Sequence, residues 1–394
     1  MPDRFIPDRA DLLTAEWLTE ALRSGGVISA ASVTSFESEP LGEGEGFVGD
    51  LVRVTLHYDQ QEDGAPSTLV AKFPTAVAEN RALGDMFDLY NREIRFYDEL
   101  AGDVPVRKPR CYYGDMDPAP ATTGLIRGVL RLLPTALVLR LMEPLGRAGG
   151  TRRYVLLLED MAPARVGDQV AGCSVEDAKL ALRHLAAVHA RFWDSPRLDK
   201  IEWIDPLNQD ARIAQALYGR SLPGAIEQFQ QLLTPRSLEI GDWLLEHGVE
   251  LMDRLSAPPR TLLHGDYRLD NLFFGDGKTP DPLCVLDWQI AGKGSALYDV
   301  AYFIGWSINA EDKGATGDLL RAYHSALVEH GVRDYDFERC ERDFVLGQLL
   351  VYHRGIFLIG QMDLTHERAV RLVDATLRRT TAALPEADLS TVFD

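Results

Sequence analysis

The stretch His264-Gly265-Asp266-Tyr267-Arg268-Leu269-Asp270-Asn271, followed by the apolar run Leu283 to Leu286 and then Asp287-Trp288-Gln289, sets two carboxylates and an amide around one turn and one strand-like run. Asp266, Asn271 and Asp287 are the ligand types a phosphoryl-transfer site needs to orient a hydroxyl and hold magnesium. Asp266 leads Asn271 by five residues, so one turn can aim a carboxylate at a substrate and an amide at a metal. Asp287 lies 21 residues beyond Asp266, at the end of the second run, where it can bridge magnesium to nucleotide phosphates. Arg268 is near enough to steady a transferred phosphoryl group, and Gly265 lets the turn approach substrate closely. An Asp and an Asn in a turn can also merely cap backbone groups. The ordered set of His, Gly, two Asp and Asn around the runs Leu272 to Phe274 and Leu283 to Leu286 argues for chemistry.

Upstream segments supply what such a turn lacks. Leu41 to Gly49 carries four glycines, Gly42, Gly44, Gly46 and Gly49, before the strand-like run Leu51 to Leu56. Backbone amides of such a loop can close over phosphates with no Cβ in the way, although a glycine-rich loop can also be a plain hairpin turn. Leu69-Val70-Ala71-Lys72-Phe73 reads as a buried strand with one lysine. A lysine in an apolar run is costly unless its ammonium finds an anion, or unless it snorkels from an edge strand. The spacing predicts a helix from about Glu79 to Leu100, on which Glu93 shares an apolar face with Met86, Tyr90 and Tyr97. A carboxylate on that face wants a cation, and pairing with Lys72 answers both problems.

His264 to Asn271 with Asp287-Trp288-Gln289 resembles the aminoglycoside phosphotransferase and choline kinase superfamily, a branch of the protein-kinase-like fold. Gly46-Phe47, Glu93 to Tyr97 and the Gln after Asp287-Trp288 bring it nearest the ecdysteroid-kinase-like (CHK kinase-like) branch. The resemblance covers roughly residues 38 to 118 and 151 to 310. It implies an α+β, bilobal fold with a small β-rich N-lobe, a larger helical C-lobe and the ATP cleft between. It implies Asp266 and Arg268 as catalytic residues, Asn271 and Asp287 as magnesium ligands, and Gly44, Gly46, Phe47, Lys72 and Glu93 as the nucleotide-phosphate site. Glu159, Asp160 and Met161, at the end of the buried run Val155 to Leu158, then become the hinge that bonds the adenine edge; on the residues alone this is an ordinary strand end. The same resemblance makes Asp299 a helix cap beneath the catalytic turn, accepting backbone amides, and makes His264 a support of the same kind.

Composition fits two lobes. The chain has 394 residues and 46% hydrophobic content, enough for two cores, which we divide at 1–161 and 162–394. Asp11 to Arg23 reads as an amphipathic helix ahead of the N-lobe, and the C-lobe reads as helix almost throughout. Ser174, with Glu176 and Asp177 following, starts one helix whose His189 reads as a hydrogen-bonded packing residue. Sixty acidic against 41 basic residues give a net charge of -19, which repels nucleic acid and anionic membranes and mildly favours a cationic substrate. Cys111, Cys173, Cys284 and Cys340 form no Cys-x-x-Cys pair, and no N-terminal run resembles a signal peptide, so reduced thiols in the cytoplasm are expected.

One segment departs from the family pattern. Near 119–150, where the family makes a short turn, Leu125 to Met142 is apolar and basic, with Arg127, Arg131, Arg140 and Pro134. A membrane-spanning helix is disfavoured by those residues. A broken helix, a packed hairpin, a cover over the cleft, a contact with another subunit or a peripheral lipid contact through 125–142 remain open, and oligomeric state is not legible.

The expected activity is transfer of the ATP γ-phosphoryl group to a hydroxyl of a small organic molecule, with ATP and Mg2+ as cofactors. The resemblance points to a hydroxylated steroid or lipid-like alcohol, for which Trp193, Trp203, Trp243, Phe303, Trp306 and Tyr352 could furnish an apolar pocket or else be core. An aminoglycoside or amino-alcohol is the alternative acceptor. A nucleotide-binding pseudokinase scaffold is the alternative of another class, disfavoured by the joint presence of Lys72, Glu93, Asp266, Asn271 and Asp287.

Overall fold

A computed structural model of the chain describes residues 5–42, 49–119, 121–134, 137–138, 140–141, 152–275, 282–360 and 367–393. Two compact units form: one takes its described residues from within Met1–Gly102, Lys108–Arg127 and Leu141–Pro163, the other from within Asp103–Arg107, Gly128–Arg140 and Ala164–Asp394. The N-terminal region is built on a β-sheet and the C-terminal region is mainly helical, the α+β division expected from the sequence.

The sheet of the first unit has five antiparallel strands in the spatial order β1 (Val33–Leu41), β2 (Gly49–Tyr58), β3 (Thr68–Pro74), β5 (Tyr154–Glu159) and β4 (Cys111–Met116). Helix α1 (Ala15–Ser24) covers one face. It starts later than the Asp11 that the amphipathic pattern suggested, because the Thr14 side chain accepts the Trp17 N–H at 3.1 Å and caps the helix there. Trp17, Leu18 and Leu22 pack against Val52, Val54, Leu69, Ala71, Phe73, Val155 and Leu157. Each fully buried side chain of the larger kind stabilises this core by roughly 1.5–3 kcal/mol.

On the other face, Leu89 and Tyr90 pack with Tyr154, Leu156 and Leu158. Strand residues alternate between the two faces, and β5, buried on both, therefore reads as a continuous apolar run. The helix expected from Glu79 to Leu100 is in fact α2 (Ala78–Met86), α3 (Leu89–Arg95) and a π-helical turn, Phe96–Leu100. The break falls at Asp88, whose backbone is left-handed at φ 55° and whose carboxylate is held by Arg152 at 2.6 Å and by Asn91 at 2.7 Å. Met86 accordingly lies outside the helical frame that carries Glu93.

The second unit contains α5 (Val175–Arg191), α6 (Ala211–Phe229), α7 (Pro235–Leu255), α8 (Leu297–Ser307), α9 (Thr316–Glu329), α10 (Phe337–Ile359) and α11 (Glu367–Ala382). Ser174 caps α5 as expected, accepting the Asp177 N–H at 3.1 Å. Two small sheets interrupt the helices: one includes both strand-like runs expected at Leu272 to Phe274 and Leu283 to Leu286, and the other was not expected. In one, β6 (Arg165–Val166), β8 (Leu272–Phe274) and β9 (Leu283–Val285) lie side by side. In the other, β7 (Thr261–Leu263) pairs with β10 (Gly292–Gly294). Both are short, and both frame the His264 to Asp287 stretch.

The atypical segment near 119–150 is helical over α4 (Ala121–Leu132), which ends before Pro134, where a continuing helix would lose a backbone donor. Residues 135–136, 139 and 142–151 lie outside the described set. Arg131 is ion-paired with Asp210 at 2.8 Å, and Leu130 is buried while Leu125, Val129 and Leu132 are exposed. Among the described residues no helix is long and apolar enough to cross a membrane.

Candidate active site

Lys72 sits on β3, paired to Leu51 of β2 on one side and to Leu156 of β5 on the other. This is an inner strand, which removes the edge-strand explanation of a lysine in an apolar run. Leu69, Ala71 and Phe73 face α1, so the alternate residue Lys72 points to the α3 face. There its Nζ meets Glu93 Oε2 at 2.7 Å, with the two side chains only 7% and 1% exposed. Tyr154 donates its hydroxyl to the same carboxylate oxygen at 3.2 Å.

Glu159 and Asp160 close the end of β5. Glu159 exchanges two bonds with the Arg110 backbone, its N–H donating to the carbonyl and its carboxylate accepting the N–H, both at 2.9 Å. Asp160 accepts from Arg53 Nε at 2.7 Å and from the Ala162 N–H at 3.1 Å. Burial would raise the Asp160 carboxyl, yet the Arg53 guanidinium and the Ala162 amide hold it below the ordinary aspartate value. Both side chains thus serve the strand end. Met161 follows, half-buried. Gly44, Gly46 and Phe47 lie outside the described residues.

In the second unit, β7 runs into a turn whose shape Gly265 sets. Its φ is 86°, and a Cβ there would run into the Ile290 carbonyl. The close approach that Gly265 permits is to the chain's own backbone, a reason different from the substrate approach expected. Replacing Gly265 by Ala should therefore cost at least about 1–2 kcal/mol from the left-handed backbone alone, before the clash is counted. Urea unfolding of the variant measures this, and an unchanged midpoint would contradict it.

Beneath the turn, Asp299 accepts the His264 N–H at 2.7 Å and the Gly265 N–H at 3.0 Å. It stands in the first turn of α8 and is fully buried, so it caps the loop and not its own helix. His189, also buried, reaches Asp299 at 3.4 Å and the Tyr323 hydroxyl at 2.8 Å, the packing role expected of it. His264 is a support as well. Its Nε2 donates to the Leu286 carbonyl at 2.8 Å, which leaves Nδ1 to accept the Asp266 N–H at 3.2 Å and fixes a neutral imidazole tautomer.

Asp266 is gripped on both oxygens. Oδ1 accepts the Tyr302 hydroxyl at 2.8 Å, while Oδ2 accepts Arg268 Nε at 3.2 Å and Asn271 Nδ2 at 3.0 Å. Burial works to raise this carboxyl, but the Arg268 guanidinium and the Tyr302 hydroxyl outweigh it and hold the group below the usual aspartate value. Arg268 also bonds Asp270 through Nη1 at 2.6 Å, so two of its nitrogens strap the two aspartates together. Tyr302 escaped the sequence reading. Its signal was present: it lies three residues after Asp299 on one helix, on the face that looks at the turn.

Strand register brings Asp287 into line with this group. Leu272 pairs with Val285 across β8 and β9, and the next rung is the Leu286 N–H donating to the Asn271 carbonyl at 2.9 Å. Asp287 is thus one residue beyond the rung opposite Asn271. Its backbone is left-handed at φ 61°, uncommon for a non-glycine residue and a frequent mark of functional sites, and Gln289 Nε2 donates to its carboxylate at 3.3 Å. Because Asn271 Nδ2 donates to both the carboxylate and the carbonyl of Asp266, its amide oxygen is the end that can face a cation. Among the described residues no three His, Cys, Asp or Glu side chains gather to hold a metal by themselves. Of the aromatics that could have lined an acceptor pocket, Trp203, Phe303, Trp306 and Tyr352 are buried core.

The ecdysteroid kinase-like family model matches residues 43–333. A 42-residue stretch is 52% identical to mouse (Mus musculus) acyl-CoA dehydrogenase family member 10, covering 11% of this chain and 4% of that protein's length. Among solved structures, the GDP and kanamycin complex of APH(2")-IIia is similar over 93% of this chain and 98% of its own, at 16% identity and a TM-score of 0.50. A Plasmodium vivax ethanolamine kinase is similar over 89% and 82% at 12% identity, with a TM-score of 0.47. The family match covers the Lys72–Glu93 pair, the Asp266 to Asn271 turn and Asp287 alike, and the chain belongs to the ecdysteroid kinase-like family.

Proposed function

We propose that this protein is a magnesium-dependent kinase that transfers the γ-phosphoryl group of ATP to a hydroxyl of a hydroxylated steroid or lipid-like alcohol. Family membership gives the coarse statement, a small-molecule phosphotransferase. The observation that carries the finer chemistry is the grip on Asp266, whose two oxygens are aimed by Tyr302, Arg268 and Asn271 while Asp287 stands one residue beyond the adjoining rung.

In this reading Asp266 orients the acceptor hydroxyl and takes its proton as the new O–P bond forms and the bond between the γ-phosphorus and the bridging oxygen of ADP breaks. Its depressed pKa makes it a weak base, suited to positioning the hydroxyl first and accepting the proton late. The Asn271 oxygen and the Asp287 carboxylate are all-oxygen donors, which fit magnesium completed by nucleotide oxygens. Bound magnesium would neutralise phosphate charge. Lys72, aimed by Glu93, would hold the α and β phosphates, with Gly44, Gly46 and Phe47 over them; Glu159 to Met161 would offer backbone groups to the adenine.

Activity should vanish with a chelator and return with magnesium; a requirement for zinc would contradict the ligand assignment. The family description favours a steroid-like acceptor, whereas the net charge of -19 favours a cationic aminoglycoside or amino-alcohol. A thermal-shift screen of hydroxylated sterols, aminoglycosides and amino-alcohols with an ATP analogue separates them, since a bound ligand raises stability. The scaffold alternative predicts nucleotide binding with no ATP consumption for any acceptor.

A further inference from the structure

Gln169 is fully buried in the loop between β6 and α5, and all four of its polar groups are bonded. Its backbone N–H donates to Asp270 Oδ1 at 2.9 Å, its side-chain oxygen accepts the Leu269 N–H at 2.8 Å, and its side-chain nitrogen donates to the Trp306 carbonyl at 2.6 Å. Its carbonyl accepts from Arg379 Nη1 at 2.6 Å. Arg379, on α11 and 6% exposed, also donates to the Trp306 carbonyl at 3.0 Å, to the Val170 carbonyl at 2.8 Å and to Asn309 Oδ1 at 2.9 Å. Every one of these acceptors is a neutral oxygen. A guanidinium buried on carbonyls costs desolvation that a surface helix contact does not require, so the arrangement asks for a reason.

The reason lies one bond away. Asp270, held from behind by Gln169, holds Arg268, and Arg268 holds Asp266. The loop also backs onto the turn at backbone distance, because a Cβ at Gly167 would run into the Leu269 carbonyl. We infer that Gln169 and Arg379 are positioning residues for the phosphoryl-transfer step, tying α11 and the end of α8 to the Asp266 turn through Leu269, Asp270 and Arg268. The inference rests on the assignment of Asp266 as the group that orients the acceptor. In this arrangement α11 sets the aim of the Asp266 carboxylate through Gln169, Asp270 and Arg268.

The test compares the wild-type full-length chain with Gln169→Leu, Arg379→Lys and the milder Asn309→Ala, which withdraws one acceptor from Arg379 at a half-buried position. The acceptor is the best substrate from the screen above. For Gln169→Leu, kcat should fall on the order of tenfold, the size of effect that a slightly misplaced catalytic group produces, while ATP KM and the stoichiometry of ATP-analogue binding stay unchanged. Arg379→Lys and Asn309→Ala should show the same signature more weakly. A merely structural role gives lower thermal stability with kcat intact, and that result overturns the inference. If Gln169→Leu does not fold, Asn309→Ala decides, and an unchanged kcat in it overturns the inference. Asp266→Asn runs alongside: turnover surviving there removes the Asp266 assignment itself, whereas its loss there with wild-type kcat in Gln169→Leu and Asn309→Ala removes only the positioning role.

Discussion

Asp266→Asn is expected to lose at least about a hundredfold in phosphoryl transfer while keeping ATP affinity close to wild type. The amide is nearly the same size, and Tyr302 can still donate to its oxygen. What disappears is the negative charge that aligns Arg268 and the lone pairs that accept a proton from the acceptor. Single-turnover rates and analogue binding on the same preparation check the two halves separately. The wild-type pH profile follows from the same carboxylate. Its folded-state pKa lies below the ordinary value, so the ionised, active form is complete at neutral pH and is lost only as pH falls through that lowered value. An acid limb above the normal aspartate range would be inconsistent with the Arg268 and Tyr302 contacts.

Lys72→Met is expected to destabilise the first unit by about 3–5 kcal/mol, because it removes the cation from a carboxylate buried to 1% exposure. Lys72→Met combined with Glu93→Gln should recover most of that stability, since the charge left behind is then neutralised. Nucleotide affinity should recover in neither variant. Denaturant unfolding and analogue binding report these two quantities, and a double variant that regained nucleotide binding would show that Lys72 has only a structural task.

The parts of the site that were legible in the sequence are those governed by short-range pattern. Asp266, Asn271 and Asp287 could be placed because two apolar runs fix a strand pair and the intervening spacing fixes what lies at its ends. Lys72 and Glu93 could be matched because each is a charge in an apolar run and each needs the other. The helix carrying Glu93 was drawn too long because the break at Asp88 depends on Arg152, 64 residues away, which no local periodicity contains. Gln169 was missed for the same physical reason, since its hydrogen bond to Asp270 spans 101 residues, whereas Tyr302, 36 residues from Asp266, was signalled locally only by sharing a helix face with Asp299. Gly265 was noticed for the right property, a missing Cβ, but the atom that would clash is the Ile290 carbonyl, visible only once β7 and β10 are paired.

The most direct measurement is detection of the product. Wild-type protein with magnesium and ATP is incubated with each hydroxylated sterol, aminoglycoside and amino-alcohol that raises its melting temperature, and the mixture is read by phosphorus NMR for a new phosphomonoester. Such a signal is expected for at least one acceptor, dependent on magnesium and absent in Asp266→Asn. A protein that binds nucleotide yet yields no phosphomonoester from any bound acceptor, or a signal that persists unchanged in Asp266→Asn, would contradict it.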